Sequence, residues 1–428
     1  MLGIVYTELS AWTEVSVEFA NIEGPHHRSW FQHVGKTLGI LLFNAGYSYG
    51  SQYRSLVFSM RVVAPNLGIF HISDAAQPWN SFMTDDGSPV ELSWDWGTSD
   101  SRPTIRYSIE PIGQKAGTSL DPLNLLIGPV LEGQLIQAVP DLSLEWLYHF
   151  QGFFNCPGAT RQEMVDLQDH STSIFYAFDL TDTGTTAKVY LFPRIRAMAR
   201  NESNLEALVQ SIKTAPYVTE DNLNALAIFT DFSGDTANVG LEYEMLAIDM
   251  IDPEHSRLKI YFRCRETSFD SVVNIMTLGG RISHPNFQQG VNDLRDLWSA
   301  LFTACAGHPL KEVHHRTAGM LYNIEFKLGD LFPVAKIYIP VRHYSSSDDT
   351  VIWGLERYFQ SRKRGTYMKA YTQVMTDLFG SETLSAQSGV QTYVGCSIRP
   401  DGALRLVSYF KPPLSTRLTS IDKVAPLS

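Results

Sequence analysis

The chain contains no run approaching the roughly 18 apolar residues that a membrane helix needs, so no transmembrane helix is expected. Cysteine is scarce, with Cys156, Cys264, Cys305 and Cys396 scattered over 428 residues and no CxxC pair. That spacing supports neither a zinc ribbon nor a disulfide framework, and reduced, buried thiols are expected. Basic residues are outnumbered, 34 Lys plus Arg against 45 Asp plus Glu, for a formal charge of -11. A general nucleic-acid binder needs a basic excess to neutralise phosphates, so none is expected as a partner. The opening MLGIVYTELSAWTEVS has no basic start, long apolar run or small-residue cleavage site. No secretory signal is expected, and the expected location is cytoplasmic. Low-complexity runs and Gly/Ser tracts are also missing, which favours one large domain over residues 1–428 rather than linked smaller ones.

Metal-binding patterns are equally thin. Asp85-Asp86 and Asp348-Asp349 lack the third carboxylate of a DDxxD magnesium motif. Asn292-Asp293-Leu294-Arg295-Asp296 does spell NDxxD, but it carries Arg295 and lies in an amphipathic stretch, so it reads as a solvated helix face. The 12 histidines show no HExxH spacing, and the pairs His26-His27 and His314-His315 read as surface residues. Gly35-Lys36-Thr37 ends like a P-loop, yet Trp30 stands where the first glycine belongs and no strand leads in.

What the sequence does contain is a repeat. Pairs of alternating segments joined by turn formers recur: PVELSWDWG with TIRYSIEPIG, STSIFYAFDL with AKVYLFPRIRA, GLEYEMLAIDM with SRLKIYFRCRE, GMLYNIEFKLG with VAKIYIPVRHY, and VQTYVGCSIRP with ALRLVSYFKP. The second strands begin near 104, 187, 257, 334 and 403, a period of about seventy to eighty residues. Between the pairs, WFQHVGKTLGILLFNAG, NLEALVQSIKTA, FQQGVNDLRDLWSALF and GTYMKAYTQVMTDLFG space their apolar residues as helices do. Hairpins separated by helices are not the βαβ order of a parallel sheet. Five hairpins predict ten strands, and closing them into an antiparallel barrel removes the edges and encloses a ligand-sized lumen.

Strand residues two apart share a face. Lys188 and Tyr190 do so in the second hairpin, Arg257, Lys259 and Tyr261 in the third, and Lys336 and Tyr338 in the fourth. Arg106 holds the matching place in the first hairpin and Tyr409 in the fifth, while Tyr393 and Arg399 share a face. Taken singly, such residues are ordinary decoration of a solvent face. However, the alternate residues Val189, Leu191, Leu258, Ile260, Ile337 and Ile339 need a core, and outer helices supply it. The cations then face the lumen. A ring of Arg and Lys binds a diphosphate through charge-assisted hydrogen bonds. Tyrosine faces beside it stabilise a cation and keep water from quenching it. Anion and carbocation together describe an ionising allylic diphosphate.

These residues resemble the indole prenyltransferases of the dimethylallyl-tryptophan synthase type, from LGILLFNAGYSYGSQYRSLVFSMRVVAPNLG to VSYFKP, most distinctively in PVELSWDWG and IRYSIEPIG. The resemblance implies an α/β fold of the ABBA or PT-barrel kind, ten antiparallel strands ringed by helices. It implies diphosphate binding by Arg106, Lys188, Arg257, Lys259, Lys336 (where relatives often carry Gln) and Arg399. It further implies a shield of Tyr190, Tyr261, Tyr338, Tyr393 and Tyr409, with Glu91 accepting an indole N–H. The implied reaction is electrophilic aromatic prenylation without metal or cofactor. Its partners are dimethylallyl diphosphate and an aromatic acceptor, an indole first and a phenol second, in a monomer or homodimer. Phe175 stands where tryptophan C4-prenylating relatives carry lysine, which favours a larger or less polar acceptor than free tryptophan. Met320 or Leu321 lies where relatives gate prenyl length. A noncatalytic barrel for an apolar ligand is the competing class, but it has no need of convergent cations.

Overall fold

The computed structural model describes residues 10–20, 24–70, 79–155, 170, 172–282, 285–302 and 308–413. Cys156 and Cys305 lie outside these residues; Cys396 is buried and Cys264 half-buried, both as free thiols. The alternating segments form ten strands: β1 (Val90–Gly97), β2 (Thr104–Ile109), β3 (Ile174–Leu180), β4 (Thr185–Leu191), β5 (Glu242–Asp249), β6 (Leu258–Cys264), β7 (Met320–Phe326), β8 (Val334–Ile339), β9 (Gln391–Ile398) and β10 (Leu404–Phe410). Each pairs antiparallel with its chain neighbours, and β1 pairs with β10 to close the barrel. The periodic stretches are helical at Lys36–Asn44, ahead of the first hairpin, and between later hairpins at Asn204–Lys213, Phe287–Leu301 and Met368–Phe379. Lys36 and Thr37, from the P-loop-like tripeptide, sit in the first of these.

Alternation sorts each strand into two environments. Val189, Leu191, Leu258, Ile260, Ile337 and Ile339 are at most 3% exposed and share one hydrophobic core with helix residues such as Leu208, Leu294 and Met375. That core lies between barrel wall and helices, so the inner face is free to be polar. Local signals place the helices. Ser203 and Glu206 form a reciprocal capping box at the start of Asn204–Lys213. On Phe287–Leu301, Gly290 lets the helix seat against β9, since a Cβ there would lie 2.3 Å from Ile398 Cγ2. Asp293 and Asp296 of the same helix both accept from Arg362, the surface role their spacing suggested.

The register stacks the inner face in levels. At one level, Arg106 opposes Asp179, Lys188 opposes Asp249, Lys259 opposes Glu325 and Lys336 opposes Ser397 across successive strand pairs. Two residues further along, Tyr190 opposes Ala247, Tyr261 opposes Asn323, Tyr338 opposes Gly395 and Tyr409 opposes Ser93. Each of these rings thus meets a small or slender residue on one side and Phe175, Met245, Leu321 or Tyr393 on the other. A third level presents Glu91, Phe175, Met245, Leu321 and Tyr393 from the odd strands.

Candidate active site

The first level lines a cavity of about 260 Å³. Arg106, Lys188, Arg257, Lys259, Lys336 and Arg399, all expected from the sequence, converge on it together with Arg405, which was not expected. Arg257 and Arg399 sit just outside strand ends, one residue before β6 and one after β9. Also unexpected is a set of four carboxylates woven among the cations. Asp95 pairs with Arg106 and Arg405, Asp179 with Arg106 and Lys188, Asp249 with Arg257 and Lys259, and Glu325 with Arg257. Among the described residues, seven basic groups against four carboxylates leave this level net positive. Burial alone raises Asp179 and Asp249, but the adjacent Arg106 and Lys188, and Lys259 and Arg257, outweigh it and hold both carboxyls below their usual range. Burial pushes Lys188 down to about 8 against the pull of Asp179.

The tyrosines form a continuous band above this level. Ring centroids are 5.7 Å apart for Tyr190 and Tyr261, 5.8 Å for Tyr261 and Tyr338, and 5.6 Å for Tyr338 and Tyr409. Tyr393 approaches Tyr338 edge-on at 6.3 Å. Tyr261 and Tyr338 share a hydroxyl contact of 3.1 Å, and Asn323 Nδ2 donates to Tyr338 Oη. Burial keeps the phenols of Tyr190, Tyr261, Tyr338 and Tyr409 protonated, so they present neutral faces and hydroxyl groups. Tyr190, Tyr261, Tyr338 and Tyr409 also wall the next cavity, of about 100 Å³, so the band is the partition between two compartments.

The upper compartment is mainly apolar, with Phe82, Met83, Phe175, Met245 and Leu321 around Glu91, Arg263 and Arg342. Glu91 Oε1 accepts from Thr392 Oγ1 at 2.6 Å. Burial pushes Glu91 up to about 7 despite that bond and the nearby Arg342. Arg263 is tied to Glu244 and to the Thr317 carbonyl, and Arg342 donates to Tyr393 Oη at 3.0 Å. Of the two positions proposed as a prenyl gate, Leu321 lines this compartment, whereas Met320 is fully buried in the outer core. Phe82, Met83, Thr317 and Arg342 lie on connections, and no alternation pointed to them. Asp85, His315 and His343 bring ligand atoms within 4.8 Å of one another at the surface. Each is already engaged, Asp85 with Arg342 and both histidines with the Thr317 hydroxyl.

The family described as tryptophan dimethylallyltransferase matches residues 26–374. The chain belongs to that family. It is a prenyltransferase of the dimethylallyl-tryptophan synthase type, and the convergent cations and tyrosine band lie in its barrel lumen. It is 34% identical to the 4-O-dimethylallyl-L-tyrosine synthase of Claviceps purpurea (strain 20.1), over 90% of this chain and 88% of that one. It is 30% identical to a 7-dimethylallyltryptophan synthase of Aspergillus fumigatus, over 89% and 84%. The crystal structure of AnaPT from Neosartorya fischeri superposes with a TM-score of 0.83 at 24% identity, covering 94% of this prenyltransferase and 97% of that chain. The shared fold is the PT barrel. Among the described residues, no helix is long and apolar enough to cross a membrane.

Proposed function

We propose that this prenyltransferase transfers the dimethylallyl group of dimethylallyl diphosphate to an indole, without a metal ion. The observation that carries this reading is the stacking order, with a net positive level below, a tyrosine band in the middle and a carboxyl group in an apolar compartment above. The diphosphate sits among Arg106, Lys188, Arg257, Lys259, Lys336, Arg399 and Arg405, and the positive excess does the work often given to magnesium. The allylic C1–O bond breaks and its electron pair leaves with the diphosphate oxygen. Tyr190, Tyr261, Tyr338, Tyr393 and Tyr409 hold the resulting cation and exclude water. Glu91 accepts the indole N–H, which orients the ring and raises its electron density. A ring carbon or the nitrogen forms the new bond, and loss of a proton restores aromaticity. Fixed charge and acceptor positioning supply most of the acceleration.

A phenolic acceptor is the second reading. It is supported by the relative named for 4-O-dimethylallyl-L-tyrosine and by Phe175, an apolar side chain at the acceptor level. Glu91 accepts a phenol O–H as readily as an indole N–H. A mass-spectrometric product screen, one dimethylallyl donor against a panel of indoles and phenols, separates the two. Prenylated indoles are expected; products from phenols alone overturn the first reading, and no diphosphate release with any acceptor overturns both.

A further inference from the structure

The cation level has one irregular position. Arg106, Lys188 and Lys259 each oppose an acid on the following strand, but Lys336 opposes Ser397. With no carboxylate across the strand pair, its ammonium turns toward the tyrosines. Lys336 Nζ donates to Tyr409 Oη at 3.0 Å. It lies 4.3 Å from the Tyr338 ring centroid and 5.4 Å from that of Tyr409, both within cation–π range. Gly395 makes this pose possible. It is the register partner of Tyr338, and a Cβ there would lie 3.1 Å from Lys336 Cε and 3.0 Å from Tyr409 Cε2.

We infer that the Lys336 ammonium occupies, in the donor-free enzyme, the tyrosine faces that later hold the allylic cation, and that diphosphate draws it off them. The inference rests on the proposed function and deepens it. Two cations cannot share the same ring faces, so the ammonium has to move before the C1–O bond breaks. A diphosphate is the stronger partner, because a charge-assisted hydrogen bond exceeds a ring face in attraction. Lys188, by contrast, is held by Asp179 and leaves an acid behind if it moves. Lys336 thus links arrival of the leaving group to clearing of the cation site, and the empty barrel offers no ready seat for a stray organic cation.

Burial and the neighbouring Arg106 and Arg405 push Lys336 down to about 7. The experiment is therefore run at pH 6, where the amine is charged. Dimethylallylammonium, a stable cation with the donor's carbon skeleton, is titrated calorimetrically into wild type, Lys336→Gln and Lys188→Gln, with and without inorganic diphosphate. A cooperative thermal unfolding transition in each variant reports that its barrel is intact, a readout independent of Lys188 and Lys336 as proposed diphosphate ligands. Without diphosphate, Lys336→Gln is expected to bind the ammonium probe about tenfold more tightly than wild type, because its rings are free. Lys188→Gln removes a charge from the same level but not from the rings, and is expected to gain less than about threefold. Saturating diphosphate is expected to tighten probe binding more in wild type than in Lys336→Gln. Equal gains in the two variants, or no gain in Lys336→Gln, overturn the inference and leave the proposed function standing. A wild-type enzyme that does not bind diphosphate overturns both.

Discussion

At the cation level, every lining residue comes from a strand or from the residue beside one. In the upper compartment, Phe82, Met83, Thr317 and Arg342 come from connections. The lower half is therefore set by barrel register and is rigid and repetitive. The upper half is set partly by segments whose sequence can change without disturbing a single strand pair. One scaffold can keep its donor chemistry while its acceptor changes, which suits a family whose members are named for different aromatic acceptors.

The sharpest way to break this contrast is to damage the lower half. Lys188→Ala or Arg257→Ala is expected to lower kcat/KM for the donor by about 10²–10³-fold, whatever the acceptor, in a diphosphate-release assay. A loss confined to one acceptor class contradicts the division. Glu91→Gln is the matching change in the upper half, with an expected loss of about 10²-fold for indoles and little change in donor KM. Glu91 accepts best as the carboxylate, and burial holds its pKa at about 7. With donor saturating, so that bound diphosphate keeps Lys188 and Lys336 charged, indole turnover should accordingly rise with pH through neutrality, and that limb should be missing from the Glu91→Gln profile. Leu321 and Met320 sharpen the comparison across one strand. Leu321→Ala should raise the ratio of geranyl to dimethylallyl transfer several-fold by mass-spectrometric competition. Met320→Ala should leave the ratio alone and cost about 2–5 kcal/mol in denaturant unfolding. The smallest expected effect is none: EDTA leaves turnover unchanged, and a loss restored by magnesium would falsify the metal-free reading.

The barrel, its strand count and the expected cations were legible because inner and outer faces alternate along most of each strand and because the hairpin recurs. The register shifts at Asp95/Gly97, Tyr243/Met245 and Tyr409/Phe410 are local. A cation followed two residues later by tyrosine in three repeats made Lys188, Lys259 and Lys336 visible. Arg405 escaped because Val407 separates it from Tyr409, so that motif is absent from β10. The four acids were equally regular, each near the end of the first strand of its hairpin: Asp95, Asp179, Asp249 and Glu325. They were missed because a search for phosphate binders follows positive charge, whereas these acids pair with it. Choosing between Met320 and Leu321 required the strand register, since a shift of one residue exchanges core for lumen. The roof of the upper compartment had no such rule. Phe82 owes its place to Ser81 and Trp79, both donating to the buried Glu110 carboxylate, a contact between distant segments that no local period encodes.

β1 and β10 meet at Leu92 with Phe410 and Ser93 with Tyr409. A ribosome delivers the first of these strands long before the second. Until β10 emerges, the nascent sheet has two open borders, each able to bind a neighbouring polypeptide. Joining partners so far apart in the chain is slow. Completing the ring also brings Arg405 and Tyr409 into the lumen, so both cavities are walled only once β10 has been made.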